Sequence, residues 1–364
     1  MKAMDHSTAH QTTTNRTTTN GTTLNGAALH PTDDTADQAG PVLDVAVIGG
    51  GVAGLAAATA LGRSLRTVQV LDAGQPRNAP SPAAHNVFAN DGAAPADLLA
   101  AARSDAEKYG VRIRSAEVTA IRRLEVGEAT PGATGGRARF AVALRDTDGT
   151  HEVLARRILL ATGLQDHLPG IPGLAEHWGT QVLHCPYCHG WEVQGQRIGV
   201  VGTHPMVTHQ ALMFAQLSSR VTLIAHAVEL DAGQRAEMAA AGVEVVEARI
   251  ASVSSAGGRL DGVVLEGGER LDLDALTVQS RMVARSELYR SLGGTVSENP
   301  MGEFVETDPR GATALAGVWA AGNSSNLAAS VAHAAAEGVT AGAGLNLDLI
   351  QEDVEAALPA SAAS

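Results

Sequence analysis

Four scarcities limit what this sequence can be. Only two cysteines occur among 364 residues, so disulfide bonds cannot cross-link the fold as they do in small secreted domains. Lys and Arg number 26 against 39 Asp and Glu, and a net charge of −13 argues against a nucleic-acid partner, whose phosphates need a basic surface. No run of about twenty apolar residues is present, so no segment is expected to span a membrane. Aromatic residues make up only 3%, which, beside 40 glycines, disfavours an aromatic-rich β-sandwich.

The first 41 residues are rich in Thr, Asn and Ala and contain too little apolar surface to order themselves. They lack both the apolar stretch of a signal peptide and a twin-arginine pair. The sequence therefore predicts a disordered tail over residues 1–41 and a cytoplasmic location, which suits a disulfide that opens and closes.

The two cysteines, Cys185 and Cys188, are three positions apart and are flanked by histidines at 184 and 189. A pair at this spacing can close a small disulfide ring and open it again, and neighbours that stabilise the thiolate make it a two-electron redox couple. The alternative is a zinc site completed by nearby histidines. Structural zinc usually uses a second Cys pair or a His pair, and the second Cys pair is missing here. The pattern favours a redox-active pair and no metal.

A glycine-rich turn follows the first apolar segment of the chain, residues 43–48, which is expected to be a buried parallel strand. Gly49, Gly51 and Gly54 form the pattern G-x-G-x-x-G. The first glycine permits a tight turn, the second lets the backbone approach a pyrophosphate, and the third lets the next helix pack on the strand. The pattern predicts a dinucleotide site.

Two further features agree with that site. Val52 and Ala53 complete the turn, and an Ala-rich helix expected over residues 55 to about 62 would present unpaired N–H groups and its positive dipole end to the phosphates. The next strand ends at Asp72, followed by Ala73, where an acid can bond the ribose hydroxyls. The fingerprint by itself does not separate FAD from NAD.

A family resemblance separates the two nucleotides. Gly322 and Asn323 end a short strand and glycine turn before a long Ala-rich helix, and this segment resembles the C-terminal flavin motif of the thioredoxin-reductase-like flavoproteins. A second segment resembles the strand end that lies beside their cofactor; it consists of Ala161, Thr162 and Gly163. The motifs follow the family's order over residues 42–357, and the resemblance implies FAD.

The resemblance also implies an α/β fold with two doubly wound, Rossmann-like domains. A degenerate NAD(P)-binding-like domain would be inserted into a discontinuous FAD domain, with a Pro- and Gly-rich linker at residues 169–173. We expect the FAD-binding domain over residues 42–163 and 300–357. The inserted domain, which carries the Cys pair, is expected over residues 175–290.

The second dinucleotide fingerprint is damaged. Gly202 supplies its first glycine, but His204 stands where the second glycine should admit the pyrophosphate, and Pro205 removes an N–H donor. Residues 225–228 contain no Arg or Lys, whereas family reductases that use NADPH carry a basic cluster there. The sequence predicts loss of NADPH binding; a divergent reductase that tolerates an imperfect fingerprint is the alternative.

Residues 185–192 resemble one branch of the family, the FAD-dependent dithiol oxidases that close disulfides in natural products such as gliotoxin, holomycin and romidepsin. Asn323 agrees with that branch, where Asn replaces the Asp of the reductases. So does a loop that would place Arg77 and Asn78 beside the flavin. Ser330 stands where relatives have a Gln near the flavin edge.

This resemblance implies a relay. A small-molecule dithiol attacks the enzyme disulfide at Cys185 and leaves as a cyclic disulfide, Cys188 passes the electrons to the flavin, and O2 accepts them to give H2O2. His189 follows the second cysteine, where reductases carry an acid, and an imidazole can take and return a thiol proton at neutral pH. Glu192 and His333 are further candidates for that role.

The sequence therefore predicts a homodimeric FAD-dependent dithiol oxidase, with the dimer expected by resemblance. Tyr187 and Trp191 are interpreted as packing residues or walls of the substrate pocket. The nearest rival is an NADPH-dependent disulfide reductase of the thioredoxin-reductase kind, which would run the same relay backwards. A rival of another class is a flavin redox sensor that turns nothing over.

Overall fold

The computed structural model describes residues 41–125 and 138–358, so residues 1–40 of the predicted tail lie outside the described residues. The strands in the described part are, in chain order, β1 (Leu43–Ile48), β2 (Val68–Asp72), β3 (Arg112–Ser115), β4 (Glu117–Arg123), β5 (Phe140–Asp146), β6 (Gly149–Leu160), β7 (Leu164–His167), β8 (Val182–Leu183), β9 (Ile198–Val201), β10 (Val221–Ile224), β11 (Glu244–Val246), β12 (Ile250–Ala256), β13 (Arg259–Leu265), β14 (Arg270–Asp272), β15 (Ala275–Val278), β16 (Arg281–Ala284), β17 (Ser297–Asn299), β18 (Gly302–Phe304) and β19 (Val318–Ala320). The α-helices are α1 (Val52–Arg63), α2 (Pro95–Glu107), α3 (Pro186–His189), α4 (Val207–Ala215), α5 (Ala232–Ala240), α6 (Glu287–Ser291) and α7 (Val331–Ala357). Among these helices, none combines the length and apolarity that a membrane crossing requires.

The first sheet is built from both ends of the chain. Its strands run in the order β3-β2-β1-β6-β5-β4, and β19 also pairs with β6. Strand β6 is long enough for its first part to pair with β5 while its last three residues pair with β19. Because β1, β2, β6 and β19 are parallel, their carboxyl ends share one edge, where the loops that follow them can meet.

Small residues let the first and last helices of this sheet pack closely. A Cβ at Gly338 of α7 would lie 2.2 Å from the carbonyl oxygen of Ala53 in α1, and a Cβ at Gly342 would lie 2.8 Å from that of Ala57. Larger side chains would force the helices apart. The close contact holds the N-terminal half of α7 against α1.

The second sheet lies in the middle of the sequence. It is wholly parallel, with the order β11-β10-β9-β15-β8, and helices α4 and α5 follow β9 and β10 in the chain. The buried strand β8 leads directly into the cysteine motif. Between β11 and β15 in the chain, strands β12, β13 and β14 form a separate antiparallel sheet.

Two short strands connect the sheets. Strand β7 leaves the first sheet and β16 returns to it, and the two pair antiparallel in a sheet with β17 and β18. The α/β class predicted from the sequence is confirmed. The described residues form one compact unit, so the predicted domain boundaries at residues 163, 175, 290 and 300 remain predictions.

Candidate active site

A cavity of about 1230 Å³ lies along the shared carboxyl edge of the first sheet and reaches the cysteine motif. Most of the predicted site residues line it: Gly49, Gly51, Val52, Ala53, Asp72, Ala73, Arg77, Asn78, Ala161, Thr162, Gly163, Cys185, Cys188, His189, Gly322, Asn323 and Ser330. Gly54, Glu192 and His333 do not line it. The structure therefore brings the nucleotide fingerprint and the cysteine pair to one cavity.

The glycines of the fingerprint differ in what surrounds them. Gly49 has φ of +106°, and a Cβ there would lie 2.3 Å from the carbonyl oxygen of Ala161. A Cβ at Gly54 would lie 2.0 Å from the carbonyl oxygen of Gly49, so this glycine lets α1 pack on the turn. Gly51, in contrast, has no atom within 4 Å of its Cβ position. It faces open cavity, as a glycine that admits a pyrophosphate should.

Helix α1 begins at the cavity with its N–H groups free of a side-chain cap. Its N-cap is Gly51, and no acidic residue occupies its first turn. The helix end can therefore donate to an anion. Asp72 at the end of β2 accepts from the N–H of Gly74 at 3.1 Å and pairs with Arg103 of α2, which the sequence analysis missed. The open turn, the helix end and the carboxylate fit the diphosphate and ribose of a dinucleotide, which the FAD expected from the family resemblance would supply.

Cys185 is the N-cap of α3, and Cys188 lies one turn later. Both thiols are free and half-buried, and their sulfurs are 2.9 Å apart. A hydrogen bond from the Cys188 thiol is the largest influence on Cys185, and it outweighs burial. With the N–H groups of Cys188 and Tyr187 and the charge of Arg77, it lowers the pKa of Cys185 to about 6. The pKa of Cys188 is raised, since this thiol keeps the shared proton and is buried beside a thiolate.

Arg77 is fixed by a partner, Asp166, that belongs to none of the sequence motifs. Its Nε and Nη2 donate to the two carboxylate oxygens of Asp166, both at 2.7 Å, and the hydroxyl of Ser280 donates to the same carboxylate at 2.7 Å. Burial of Asp166 opposes ionisation, but Arg77 and Ser280 hold its pKa below the ordinary value. Asp166 belongs to the connecting strand β7 and also lines the cavity. The pair fixes a positive charge whose field favours thiolate at both cysteines.

Asn323 has a contact set that an aspartate could not make. Its Nδ2 lies 3.0 Å from the carbonyl oxygens of Asn326 and Ala329 and 3.3 Å from that of Leu327. Its Oδ1 accepts from Arg77 at 3.5 Å. The amide thus organises the turn before α7, and a carboxylate there would face three carbonyl oxygens without a donor.

A loop over residues 81–93, here called the strap, contacts the cysteine motif in three places. Ser81 Oγ lies 2.6 Å from His189 Nε2. The side-chain amide of Asn86 donates to the backbone oxygen of Tyr187 at 2.6 Å. His85 Nε2 lies 3.2 Å from Glu192, so that predicted acid or base contacts the strap rather than the sulfurs.

The remaining predicted residues lie at the surface. His333 is exposed in the first turn of α7, with its Nδ1 3.0 Å from the Oγ of the N-cap residue Ser330. Tyr187 and Trp191 are 75% and 71% exposed, so neither is a packing residue. The geometry of the cavity gives no support to a catalytic role for His333 or Glu192, and those roles stay predictions.

In the second glycine-rich turn, the side chain of His204 hydrogen-bonds to the backbone. Gly202 makes the expected tight turn, since a Cβ there would lie 2.2 Å from the carbonyl oxygen of Ala225. His204 Nδ1 accepts from the backbone N–H of Met206 at 3.2 Å, and its Nε2 donates to the carbonyl of Pro300 at 3.1 Å. The imidazole thus takes an N–H at the start of α4 where a pyrophosphate would bind. Within the described ranges, no three His, Cys, Asp or Glu side chains are placed to hold a metal ion.

Comparison with known proteins gives one family and a consistent set of relatives. The family model of pyridine nucleotide-disulphide oxidoreductases matches residues 43–338. Thioredoxin reductase tcpT of Claviceps purpurea is 32% identical over 83% of this chain and 92% of its own length, and thioredoxin reductase sirT of Leptosphaeria maculans is 29% identical over 86% and 97%. The crystal structure of HlmI is 37% identical, with a TM-score of 0.78 over 88% of this chain and 96% of that chain. An oxidoreductase from Agrobacterium tumefaciens is 35% identical, with a TM-score of 0.76 over 85% and 99%.

Proposed function

Because the chain belongs to the pyridine nucleotide-disulphide oxidoreductase family, we propose that it works as an FAD-dependent oxidase of a small-molecule dithiol. The product is a disulfide, and O2 is the electron acceptor and leaves as H2O2. The homodimer expected from the sequence is part of this proposal, and light scattering of the purified protein tests it.

The contact between His204 and Met206 carries the choice of oxidase over reductase. A nicotinamide cofactor needs the N–H groups and the open turn at the start of α4. Here a histidine ring takes one donor, Pro205 lacks another, and residues 225–228 offer no cation to a 2′-phosphate. Without a nicotinamide cofactor to deliver hydride, the electrons must come from another donor. A dithiol is the donor that can exchange directly with the Cys pair.

The Cys pair performs the exchange with substrate. A substrate thiolate attacks Cys185 of the enzyme disulfide, and the bond to Cys188 breaks as a mixed disulfide forms. The second substrate thiolate then attacks the substrate sulfur of that mixed disulfide and releases Cys185 as thiolate. The substrate loses two electrons and two protons, and the enzyme disulfide gains two electrons. FAD, when bound, would accept the two electrons, so that Cys185 and Cys188 form their disulfide again.

Electrostatics favour Cys185 as the sulfur released from the mixed disulfide in the second exchange step. A thiolate is a better leaving group when its pKa is low, and hydrogen bonds and Arg77 lower the pKa of Cys185 to about 6. Cys188, whose pKa is raised, retains a proton in the reduced pair. We therefore assign Cys185 to the exchange with substrate and Cys188 to the cofactor side.

His189 is our candidate for the proton acceptor. Its ring lines the same cavity as both sulfurs, and burial lowers its pKa although Glu192 opposes this. A largely neutral imidazole at pH 7 can accept a thiol proton and release it to solvent.

Oxygen uptake tests the proposed function. With dithiothreitol as a probe dithiol, the yellow holoenzyme should consume O2 and produce an equal amount of H2O2 over many turnovers. Cys185→Ser and Cys188→Ser should each abolish turnover while retaining the flavin spectrum. Uptake that stops after one equivalent would instead support a redox sensor.

Two observations favour the reductase alternative. Two relatives at about 30% identity are named thioredoxin reductases, and Gly202 retains the first turn of a second fingerprint. Reduction of the holoenzyme by NADPH, followed by reduction of a disulfide, would establish it.

A further inference from the structure

Ser81 is a buried polar side chain that belongs to none of the sequence motifs. It is 8% exposed, lines the cavity beside His189, and begins the strap. Its backbone N–H donates to the carbonyl of Asn78 at 3.0 Å, so the loop that was expected to border the flavin also fixes Ser81.

The hydrogen bonds of Ser81 determine which nitrogen of His189 carries the proton. The Ser81 hydroxyl has one hydrogen, and it donates that hydrogen to the carbonyl oxygen of Ala83 at 2.7 Å. Toward His189 Nε2, which is 2.6 Å away, the same oxygen can then only accept. The neutral ring is therefore protonated at Nε2, and the free lone pair is on Nδ1.

The surroundings of His189 favour its neutral form, and in that form the tautomer decides which ring nitrogen is basic. Burial disfavours the imidazolium, Glu192 after α3 favours it, and His85 of the strap disfavours it. His189 is the last residue of α3, next to Cys188 in the chain, and it lines the same cavity as both cysteines. The net effect is a lowered pKa, so the ring spends most of its time neutral at pH 7 and offers one basic nitrogen.

We propose that Ser81 is a positioning residue that holds His189 in the Nε2–H tautomer, so that Nδ1 takes and returns the thiol proton during exchange. The part concerning proton transfer rests on the proposed function. A substrate S–H gives its proton to Nδ1, leaving a thiolate and an imidazolium, and the imidazolium then passes the proton to solvent. The Nε2–H to Ser81 bond remains intact in both charge states and is stronger in the charged one.

Nitrogen NMR of histidine-labelled holoenzyme tests the tautomer without any assay of activity. The His189 signals are assigned by their absence in His189→Gln. Above the pKa of His189, the wild-type ring should be protonated at Nε2, and Ser81→Ala should give a mixture of tautomers. A wild-type ring protonated at Nδ1 would overturn the proposal, whether or not the protein oxidises dithiols.

Kinetics test the positioning role. Ser81→Ala should lower kcat/KM for dithiothreitol oxidation about tenfold, the effect of one lost hydrogen bond to a charged state, and move the acid limb of the pH profile to lower pH. Ser81→Thr, which keeps the hydroxyl, should restore both. In a His189→Gln background Ser81→Ala should have no further effect. Two results together would show a merely structural role for Ser81. Ser81→Ala would lower kcat/KM equally in the His189→Gln background, and Ser81→Ala alone would leave the acid limb of the pH profile in place. Absence of O2 uptake by wild type would refute the proposed function and leave the NMR result to decide the tautomer.

Discussion

His204 Nδ1 accepts a hydrogen bond from the backbone N–H of Met206, 3.2 Å away, at the start of helix α4, which follows the second glycine-rich turn. The other ring nitrogen donates to the carbonyl of Pro300. One side chain thus closes a turn that Gly202 still begins. The residue that replaces the second glycine of the fingerprint, His204, therefore also occupies an N–H donor of the turn.

Opening that turn should improve nicotinamide binding. His204→Gly with Pro205→Ala frees the Met206 N–H and restores a donor, so the Kd for NADH should fall at least about tenfold. NADPH should gain less, because residues 225–228 lack a cation for its 2′-phosphate. Calorimetric titration measures both. His209→Ala, at an exposed histidine in α4, is the matched control and should leave both Kd values unchanged.

The reduced cysteine pair should alkylate unequally. Iodoacetamide should modify Cys185 first, with a rate that rises through an apparent pKa of about 6. Cys188→Ala removes the hydrogen bond that most lowers this pKa, so the midpoint should move upward toward that of an ordinary thiol. Mass spectrometry of the modified peptide locates the label. Preferential labelling of Cys188 in wild type would contradict the assignment of the two sulfurs.

The Arg77–Asp166 pair should contribute measurably to stability. Asp166→Asn leaves a half-buried guanidinium without its bidentate partner and should lower the free energy of unfolding by about 3 kcal/mol. Since the pKa of Asp166 is lowered in the fold, its stabilisation is complete above the unfolded-state pKa and is lost as the pH falls through the folded-state pKa. Glu247→Gln breaks the exposed pair with Arg235 and should cost less than about 0.5 kcal/mol. Equal effects in urea unfolding would contradict the difference in burial.

Asn323→Asp should damage the turn before α7. The carboxylate would face the carbonyl oxygens that now accept from the amide, at a cost of about 2 kcal/mol, and the variant should lose flavin on dilution. Thermal melting and flavin absorbance after gel filtration measure the two effects. Asn90→Asp in the strap, where the amide makes one exposed contact at 3.4 Å, should retain both properties.

Removing the exposed aromatics beside the Cys pair should affect substrate binding alone. Tyr187→Ala and Trp191→Ala each leave the interior untouched, because both side chains are largely exposed. If they form the walls predicted from the sequence, KM for an apolar dithiol should rise about tenfold with an unchanged melting temperature. Neither aromatic is among the residues that line the cavity, so the substitutions test whether substrate also contacts the surface beside it. The exposed Leu65, 94% accessible, gives a control substitution to Ala. An unchanged KM would show that substrate does not touch this surface.

The parts of the site that the sequence predicted are those encoded locally. The turn at Gly49, Gly51 and Gly54 is dictated by backbone conformation and close approach, and the neighbouring strand and helix follow from short-range patterns. The thioredoxin-reductase-like family and the oxidoreductase class predicted from these motifs are confirmed by the comparisons.

The parts that the sequence did not predict join distant segments. Asp166 meets Arg77 across 89 positions and Ser81 meets His189 across 108, and neither contact leaves a periodic signal. Arg103 reaches Asp72 from a helix whose pattern shows only amphipathicity. His333 was predicted as a candidate proton acceptor or donor from its place in the last helix. Its side chain is exposed in the first turn of α7, and a three- to four-residue repeat alone does not decide that exposure.

The most direct test of the direction of electron flow is an anaerobic titration of the holoenzyme followed by its visible spectrum. NADPH should leave the oxidised flavin band unchanged, one equivalent of dithiothreitol should bleach it, and admission of O2 should restore it with release of H2O2. Prompt bleaching by NADPH, with a dithiol leaving the band unchanged, would contradict the oxidase and establish a reductase in its place.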